Sequence, residues 1–472
     1  MYNPNSQKAA EFIDHQEILA TLEYAKENKS NNELLSQIID KAKKYKGLSH
    51  REAAVLLECS SEVHNQEIEE LAKQIKEKFY GKRIVMFAPL YLSNYCVNEC
   101  VYCPYHFNNK TIRRKKLSQE EIRKEVIALQ DMGHKRLALE TGEDPTHSPI
   151  EYVLESIKTI YGIKHKNGTI RRVNVNIAAT SVENYKKLRD AGIGTYILFQ
   201  ETYNKEVYAK LHTGGPKHNY DFHTEAMDRA MEAGIDDVGI GVLFGLATYR
   251  YDLAGLLMHA EHLEAVFGCG PHTISVPRIR AADGVNPSDF KNAISDDIFA
   301  KIVAIIRISV PYTGMIISTR ESKQLREQVL SLGVSQISGA SSTSVGGYAE
   351  KEKAENNTAQ FDVNDSRSLD EIVNWLLDLG YVPSFCTACY RQGRTGDRFM
   401  SLVKNGQIAN ICEANSLITL KEYLEDYAGL ETKANGEAVI CKQLKHIPSQ
   451  KIMEKTSEYL QKISDGERDF RF

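Results

Sequence analysis

An α/β fold built on an eight-stranded parallel (β/α)8 barrel is what this sequence predicts, with helices ahead of it and a helical extension behind. Three observations predict it. Eight short apolar, β-branched runs recur with amphipathic helical stretches between them, the alternation that buries a parallel sheet beneath helices. The runs end in small or reactive polar residues, as strands do at the rim where a barrel carries its active site. The chain of 472 residues exceeds the size at which one small core keeps growing, which leaves room for a barrel and its extensions. A doubly wound open sheet is the competing architecture.

Taken in order, residues 1–82 read as an N-terminal helical region. They are rich in charge, poor in breakers, and carry apolar residues at helical spacing such as Ile18, Leu19, Leu22 and Ala25. The barrel spans 83–345. Its runs are IVMFAPLYLSNYC, which feeds Cys96, then Arg136–Gly142, Arg172–Thr180, Thr195–Thr202, Asp237–Leu246, Thr273–Arg280, Gly314–Arg320 and Gln336–Ser341. Helices fall between them, for example Ser118–Met132, where Ser118 followed by Glu121 makes a capping box. The strand ends carry Glu140 to Glu143, Gln200 to Thr202, Arg278 and Arg280, Thr319 to Glu321, and Ser341 to Thr343. Residues 346–472 form the extension. It opens with a polar, glycine-started linker, Gly346 to Arg367, and continues with a helix at Ser368–Leu379, a cysteine-rich segment and further helix.

Composition narrows the function classes. Apolar residues make up 42% and charged residues 26%, and the net charge is −4, with basic residues dispersed. Neither a nucleic-acid surface nor a membrane span is expected. The N-terminus lacks the basic start and apolar core of a signal peptide. A cytoplasmic location follows as the expectation, where thiols stay reduced and clustered cysteines favour metal or redox chemistry over disulfides.

Nine cysteines are present. Cys59, Cys269 and Cys441 stand alone and read as structural. Cys96, Cys100 and Cys103, in CVNECVYC, offer three thiolates, enough for three irons of a cubic cluster with the fourth left open. An open iron can chelate a small molecule and pass it one electron. Zinc held by these cysteines and His106 is the plain alternative. A second triplet, Cys386, Cys389 and Cys412, again leaves one coordination site over.

With Tyr102 directly ahead of the third cysteine, the first run resembles the signature of radical S-adenosylmethionine (SAM) enzymes. That resemblance implies a TIM-type radical SAM barrel whose [4Fe–4S] cluster binds SAM. It also implies that Thr141, Gly142 and Glu143 hold the methionyl amino group, that Tyr102 lies near the adenine, and that Glu201 meets the ribose hydroxyls, with His212–Lys217 shaping that side. Such a radical needs a shielded interior, which a closed barrel offers.

The runs Pro271–Arg280, Ser341–Tyr348 and Cys386–Met400, together with Cys412, are similar to the HydG-type tyrosine lyases that mature [FeFe]-hydrogenase. The barrel motifs are shared with the ThiH-type lyases. The resemblance implies cleavage of L-tyrosine at Cα–Cβ to p-cresol and dehydroglycine, then conversion of the latter to carbon monoxide and cyanide at a second, auxiliary iron–sulfur cluster. That cluster would carry an additional iron attached through a non-protein cysteine, with His272 as its protein ligand, and the product would be an iron–carbonyl–cyanide synthon. A ferredoxin- or flavodoxin-type electron donor and other hydrogenase maturation proteins are the implied partners.

A zwitterionic substrate needs its carboxylate held, which arginine does bidentately. Arg320 with Ser341, Ser342 and Thr343 is the candidate set. Arg278 and Arg280 are the alternatives. Arg391, Arg394 and Asp397 stand beside the second triplet. A ThiH-type lyase that stops at dehydroglycine and a non-enzymatic iron–sulfur scaffold are the competing functions.

Overall fold

The computed structural model describes residues 1–350, 357–404 and 407–472; the side chains of Asp397, Met400, Lys404 and residues 407–410 fall outside the description. All eight expected runs form strands: β1 (Arg83–Ser93), β2 (Arg136–Thr141), β3 (Arg172–Asn176), β4 (Tyr196–Ile197), β5 (Val238–Gly241), β6 (Thr273–Ser275), β7 (Gly314–Ile317) and β8 (Gln336–Ser338). They pair in parallel in chain order, and β8 returns to β1 through Val85↔Gln336 and Phe87↔Ser338. That last pairing closes the barrel and excludes the open sheet.

Most strands are shorter than the apolar runs that announced them. After Ile197 the chain is out of regular strand but stays bonded to β5 through Leu198 N to Gly239 O at 3.0 Å and Gln200 N to Gly241 O at 2.9 Å, then bridges at Glu201↔Val242. Beyond these short ladders the chain continues into loops over the C-terminal mouth.

Helices sheathe the barrel. Ser118 caps Gln119–Met132 as expected: its hydroxyl accepts from Glu121 N at 3.2 Å, and the Glu121 carboxylate accepts from Ser118 N at 2.7 Å, a motif worth about 1 kcal/mol. The N-terminal helices His50–Glu58 and Glu62–Tyr80 lie against Tyr249–Phe267 and Asp296–Ser309. Among the described residues no helix is long and apolar enough to cross a membrane.

Two features depart from the sequence reading. Residues 357–367, expected as a linker, form a strap across the C-terminal mouth. Gln360 N donates to Thr343 O at 3.0 Å, Asp362 N to Ala281 O at 3.1 Å, and Asn364 N to Thr319 O at 2.9 Å. The strap leads into Leu369–Asp378, which packs beside Lys323–Leu332, with Trp375 Nε1 reaching Glu327 at 3.4 Å. Beyond it a ninth strand, β9 (Val382–Ser384), pairs in parallel with the start of β1, Arg83↔Val382 to Val85↔Ser384. This places the second cysteine triplet at the N-terminal mouth of the barrel.

Candidate active site and metal centres

Side chains alternate along a strand, so every second residue faces the barrel axis. On β2 that file is Arg136, Ala138 and Glu140; on β1 it is Val85, Phe87, Pro89 and Tyr91. Three cavities follow one another along these files. Arg136 and Val85 line a lower cavity of ≈ 760 Å³. Ala138, Phe87, Pro89 and Tyr91 line an inner cavity of ≈ 680 Å³. Glu140 reaches the inner cavity and an upper one of ≈ 1030 Å³. Asn176, Phe199, Pro277, Arg320, Gln360 and Phe361 are also shared between the upper two.

The upper cavity holds the first triplet. Cys96, Cys100 and Cys103 sit in the loop after β1 and all line it. The loop is fastened on both sides. Val97 N donates to Glu143 O at 2.8 Å, Glu99 N to Gly214 O at 3.0 Å, and Val101 N to Leu211 O at 3.0 Å. Two glycines permit this closeness. A Cβ on Gly142 would overlap the carbonyl oxygen of Tyr95 and stand 3.2 Å from Cys96 Cβ; Gly215, at φ +83°, would place one 2.5 Å from Asn98 Oδ1. Burial pushes all three thiols up, Cys103 to about 12. Thiolates therefore require a compensating cation here, and iron supplies one. Among the described residues no group of three or more His, Cys, Asp or Glu side chains is arranged to hold a metal ion. Three thiols that line one cavity suit the corners of a polynuclear cluster, so donor set and space fit a [4Fe–4S] cluster with SAM.

Around it, Tyr102 lines the cavity with its hydroxyl 2.8 Å from His212 Nε2. Glu143 accepts from Asn98 Nδ2 at 2.6 Å, and burial raises its pKa. Thr141 donates to Gly142 O at 3.1 Å. Glu201, in the left-handed region at φ 67°, accepts from Lys217 Nζ at 2.7 Å. Lys217 also binds Asn98 Oδ1 through its backbone N–H, at 2.9 Å. Burial pushes Glu140 up to about 8, against the pull of Asn176 and Arg320.

The arginine candidates separate. Arg320 faces both upper cavities, its guanidinium 3.6 Å from the centre of the Phe361 ring and without a side-chain hydrogen bond among the described residues. Burial draws its pKa down. Arg280 also lines the upper cavity but pairs with Glu321. Arg278 binds Glu321 and, at 2.9 Å, Asp296. Both arginines reach Glu321: two residues apart, they would share one face even on a strand, and here they lie past the end of β6 at Ser275. The hydroxyl candidates stand apart from the lining. Thr343 donates to Phe361 O at 2.7 Å, Ser342 Oγ accepts from Ser344 N at 3.3 Å, and Ser341 Oγ is buried without a partner among the described residues.

The lower cavity gathers Cys386, Cys389, Cys412 and His272 with Arg83, Arg136 and Tyr390. Cys386 follows β9, Cys389 lies on Ala388–Arg391, and Cys412 lies on Gln407–Asp426. His272 Nε2 is 2.7 Å from the Tyr390 hydroxyl; its Nδ1 is 3.4 Å from Asp237 and makes no hydrogen bond among the described residues. Burial holds this imidazole down at about 4, hence neutral and able to act as a donor. Burial raises Cys386, and raises Cys389 to about 11. Arg136 donates to Cys386 O at 2.8 Å, and burial brings its pKa to about 10. Three thiols, an imidazole and the guanidiniums of half-buried Arg83 and buried Arg136 fit an anionic iron–sulfur cluster with a further iron beside it.

Arg391 and Arg394 turn away toward the C-terminal tail. Arg391 binds Asp469 through two nitrogens at 2.5 and 2.7 Å, and Arg394 donates to Phe472 O. The Asp397 side chain lies outside the described residues.

Sequence reasoning missed Asn98, Asn176, Gln360 and Phe361 above, and Arg83, Arg136 and Tyr390 below. The inward files of β1 and β2 could have indicated Arg83's neighbour Val85 and Arg136; no local signal marks Gln360 or Phe361.

Comparison with known proteins agrees with this geometry. Residues 90–251 match the Radical SAM superfamily, and 275–382 match the Biotin and Thiamin Synthesis associated domain. A 2-iminoacetate synthase of Salmonella typhimurium is 29% identical over 338 residues, 71% of this chain and 86% of that protein. A crystal structure of HydG, a maturase of the [FeFe]-hydrogenase, superposes with a TM-score of 0.94 at 55% identity, covering 98% of this chain and all of that one. HydG from Carboxydothermus hydrogenoformans does so with a TM-score of 0.83 at 42% identity, over 96% and 100%.

Proposed function

The chain belongs to the HydG family of radical SAM lyases, and from that premise we propose that it cleaves L-tyrosine to p-cresol and dehydroglycine and converts the latter to an iron–carbonyl–cyanide synthon for [FeFe]-hydrogenase. The observation that carries this reading is the placement of two thiol triplets at opposite mouths of one barrel, with a column of cavities between them.

When bound, the [4Fe–4S] cluster on Cys96, Cys100 and Cys103 supplies the electron that opens SAM to a 5′-deoxyadenosyl radical. The chain's own residues do the rest. Asn98 and Glu143 fix the loop that presents the three thiols. Arg320, uncommitted and facing the cavity, holds the substrate carboxylate, a charge-assisted pairing worth about 1.5–3 kcal/mol. Glu140 carries a proton on its carboxyl group near neutral pH and so adds no charge that would repel the substrate. Phe361 and Gln360 close the mouth above and exclude water.

Dehydroglycine, a small product, leaves along the inner cavity, whose walls are Ala138, Phe87 and Ser338. Arg136 stands at the far end, where it would receive a carboxylate. His272 and the second triplet would hold the iron that collects the fragments. Ferredoxin- or flavodoxin-type donors and other maturation proteins complete the scheme.

The test is anaerobic reconstitution with iron, sulfide, SAM, dithionite and tyrosine, with p-cresol and carbon monoxide assayed together. Cys386→Ser with Cys389→Ser is expected to keep p-cresol and lose carbon monoxide. Undiminished carbon monoxide would refute the role given to the lower site.

A further inference from the structure

The strap at 357–367 is built too firmly to be a connector. Besides its backbone bonds to three strand-end loops, Asn364 Nδ2 donates to Arg320 O at 2.7 Å, and Thr358 Oγ1 accepts from Val345 N at 2.9 Å. Asp365 is anchored by Arg326 and, at 2.6 Å, by Arg367. What the anchors hold in place is Gln360 and Phe361, which wall both the upper and the inner cavity.

Both line the same two cavities as Arg320. Phe361 is 7% exposed, and the Arg320 guanidinium stacks on its ring. A stacked guanidinium keeps its N–H edge free for a ligand in the ring plane. Gln360 Oε1 accepts from the Tyr91 hydroxyl at 2.9 Å. That bond orients the amide so that Nε2 carries its two donors, and Nε2 has no partner among the described residues.

We infer that Gln360 and Phe361 complete, with Arg320, a binding site for an α-amino acid carboxylate. Gln360 Nε2 donates to one carboxylate oxygen while Arg320 engages the group from its fork. Phe361 is a positioning residue that fixes the plane of Arg320. The hydroxyl of Thr343 contributes indirectly, by tying Phe361 O down. The inference rests on the tyrosine-lyase reading above and adds the strap to its substrate site.

The test measures p-cresol formation against tyrosine concentration in the reconstituted full chain. Gln360→Glu keeps the shape and places a negative charge beside the carboxylate; Gln360→Ala only removes the donor. The expected result is an increase in KM of about tenfold for alanine, the size of one hydrogen bond to a charged group, and a larger one for glutamate, with kcat nearly unchanged. Phe361→Leu should raise KM, and Phe361→Tyr, which preserves the stack, should restore it. The SAM-dependent change in the electron paramagnetic resonance (EPR) spectrum of the reduced cluster should persist in all four. Unchanged KM in both Gln360 variants would overturn the inference, as would an equal loss in glutamate and alanine confined to kcat. If the unaltered protein itself made no p-cresol, the lyase reading would fail instead.

Discussion

Gly142→Ala perturbs the closest approach in the upper site. An added Cβ would overlap Tyr95 O and stand 3.0 Å from the Tyr95 carbonyl carbon and 3.2 Å from Cys96 Cβ. Carbon pairs settle near 3.5–4.0 Å, so the end of β2 and the cysteine loop must part by roughly 0.5–1 Å. The bonds that span this gap are Val97 N to Glu143 O at 2.8 Å and Asn98 Nδ2 to Glu143 Oε2 at 2.6 Å. Losing one neutral and one charge-assisted bond costs about 2–4 kcal/mol, or about 30- to 700-fold in an equilibrium constant. The loop carries Cys96, so the cost falls on cluster seating and SAM affinity. Anaerobic titration of the reduced protein with SAM, followed by EPR, should show that loss, while the iron retained at the lower site is unchanged. A variant that binds SAM as tightly as the parent would refute the argument that this glycine sets the loop's position.

Other expectations follow from the same contacts. Arg320→Lys should lower kcat/KM for tyrosine about 10- to 100-fold, because an ammonium cannot make the bidentate pair. Asp469→Asn releases Arg391 beside Cys389; the pair is partly exposed, so iron retention at the lower site should weaken by up to about fivefold, read by metal analysis, with p-cresol unaffected. Burial alone would lower the pKa of His50, but hydrogen bonds to Glu261 and Glu17 outweigh it and hold the imidazole above its usual value. Its stabilising charge is fully present below about pH 6.5 and is lost as pH rises through the elevated folded value. Thermal midpoints between pH 6 and 9 should therefore fall more steeply for the parent than for His50→Gln.

The barrel was legible because its signals are periodic. Each of the eight runs concentrates β-branched residues between helical stretches, and Ser118 and Glu121 mark a helix start by chemistry alone. The thiol triplets were legible because their spacing is short. The rest depended on contacts distant in sequence. Gln360 and Phe361 lie in a polar stretch with no period, and only bonds to Thr343, Ala281 and Thr319 make it a strap. Arg278 and Arg280 were read as alternatives of which one points inward, yet both are taken up by Glu321. Arg136 went unread because polar residues were sought at the C-terminal mouth, whereas β9 carries the second triplet to the other end, where His272 also lies.

The most direct measurement is EPR and Mössbauer spectroscopy of the anaerobically reconstituted, reduced chain with and without SAM. Two cubane signals are expected: one that shifts with SAM and vanishes in Cys96→Ser, and one that ignores SAM and vanishes in Cys386→Ser with Cys389→Ser. A single cubane, or two signals that disappear together in either variant, would contradict a barrel with a separate cluster at each mouth.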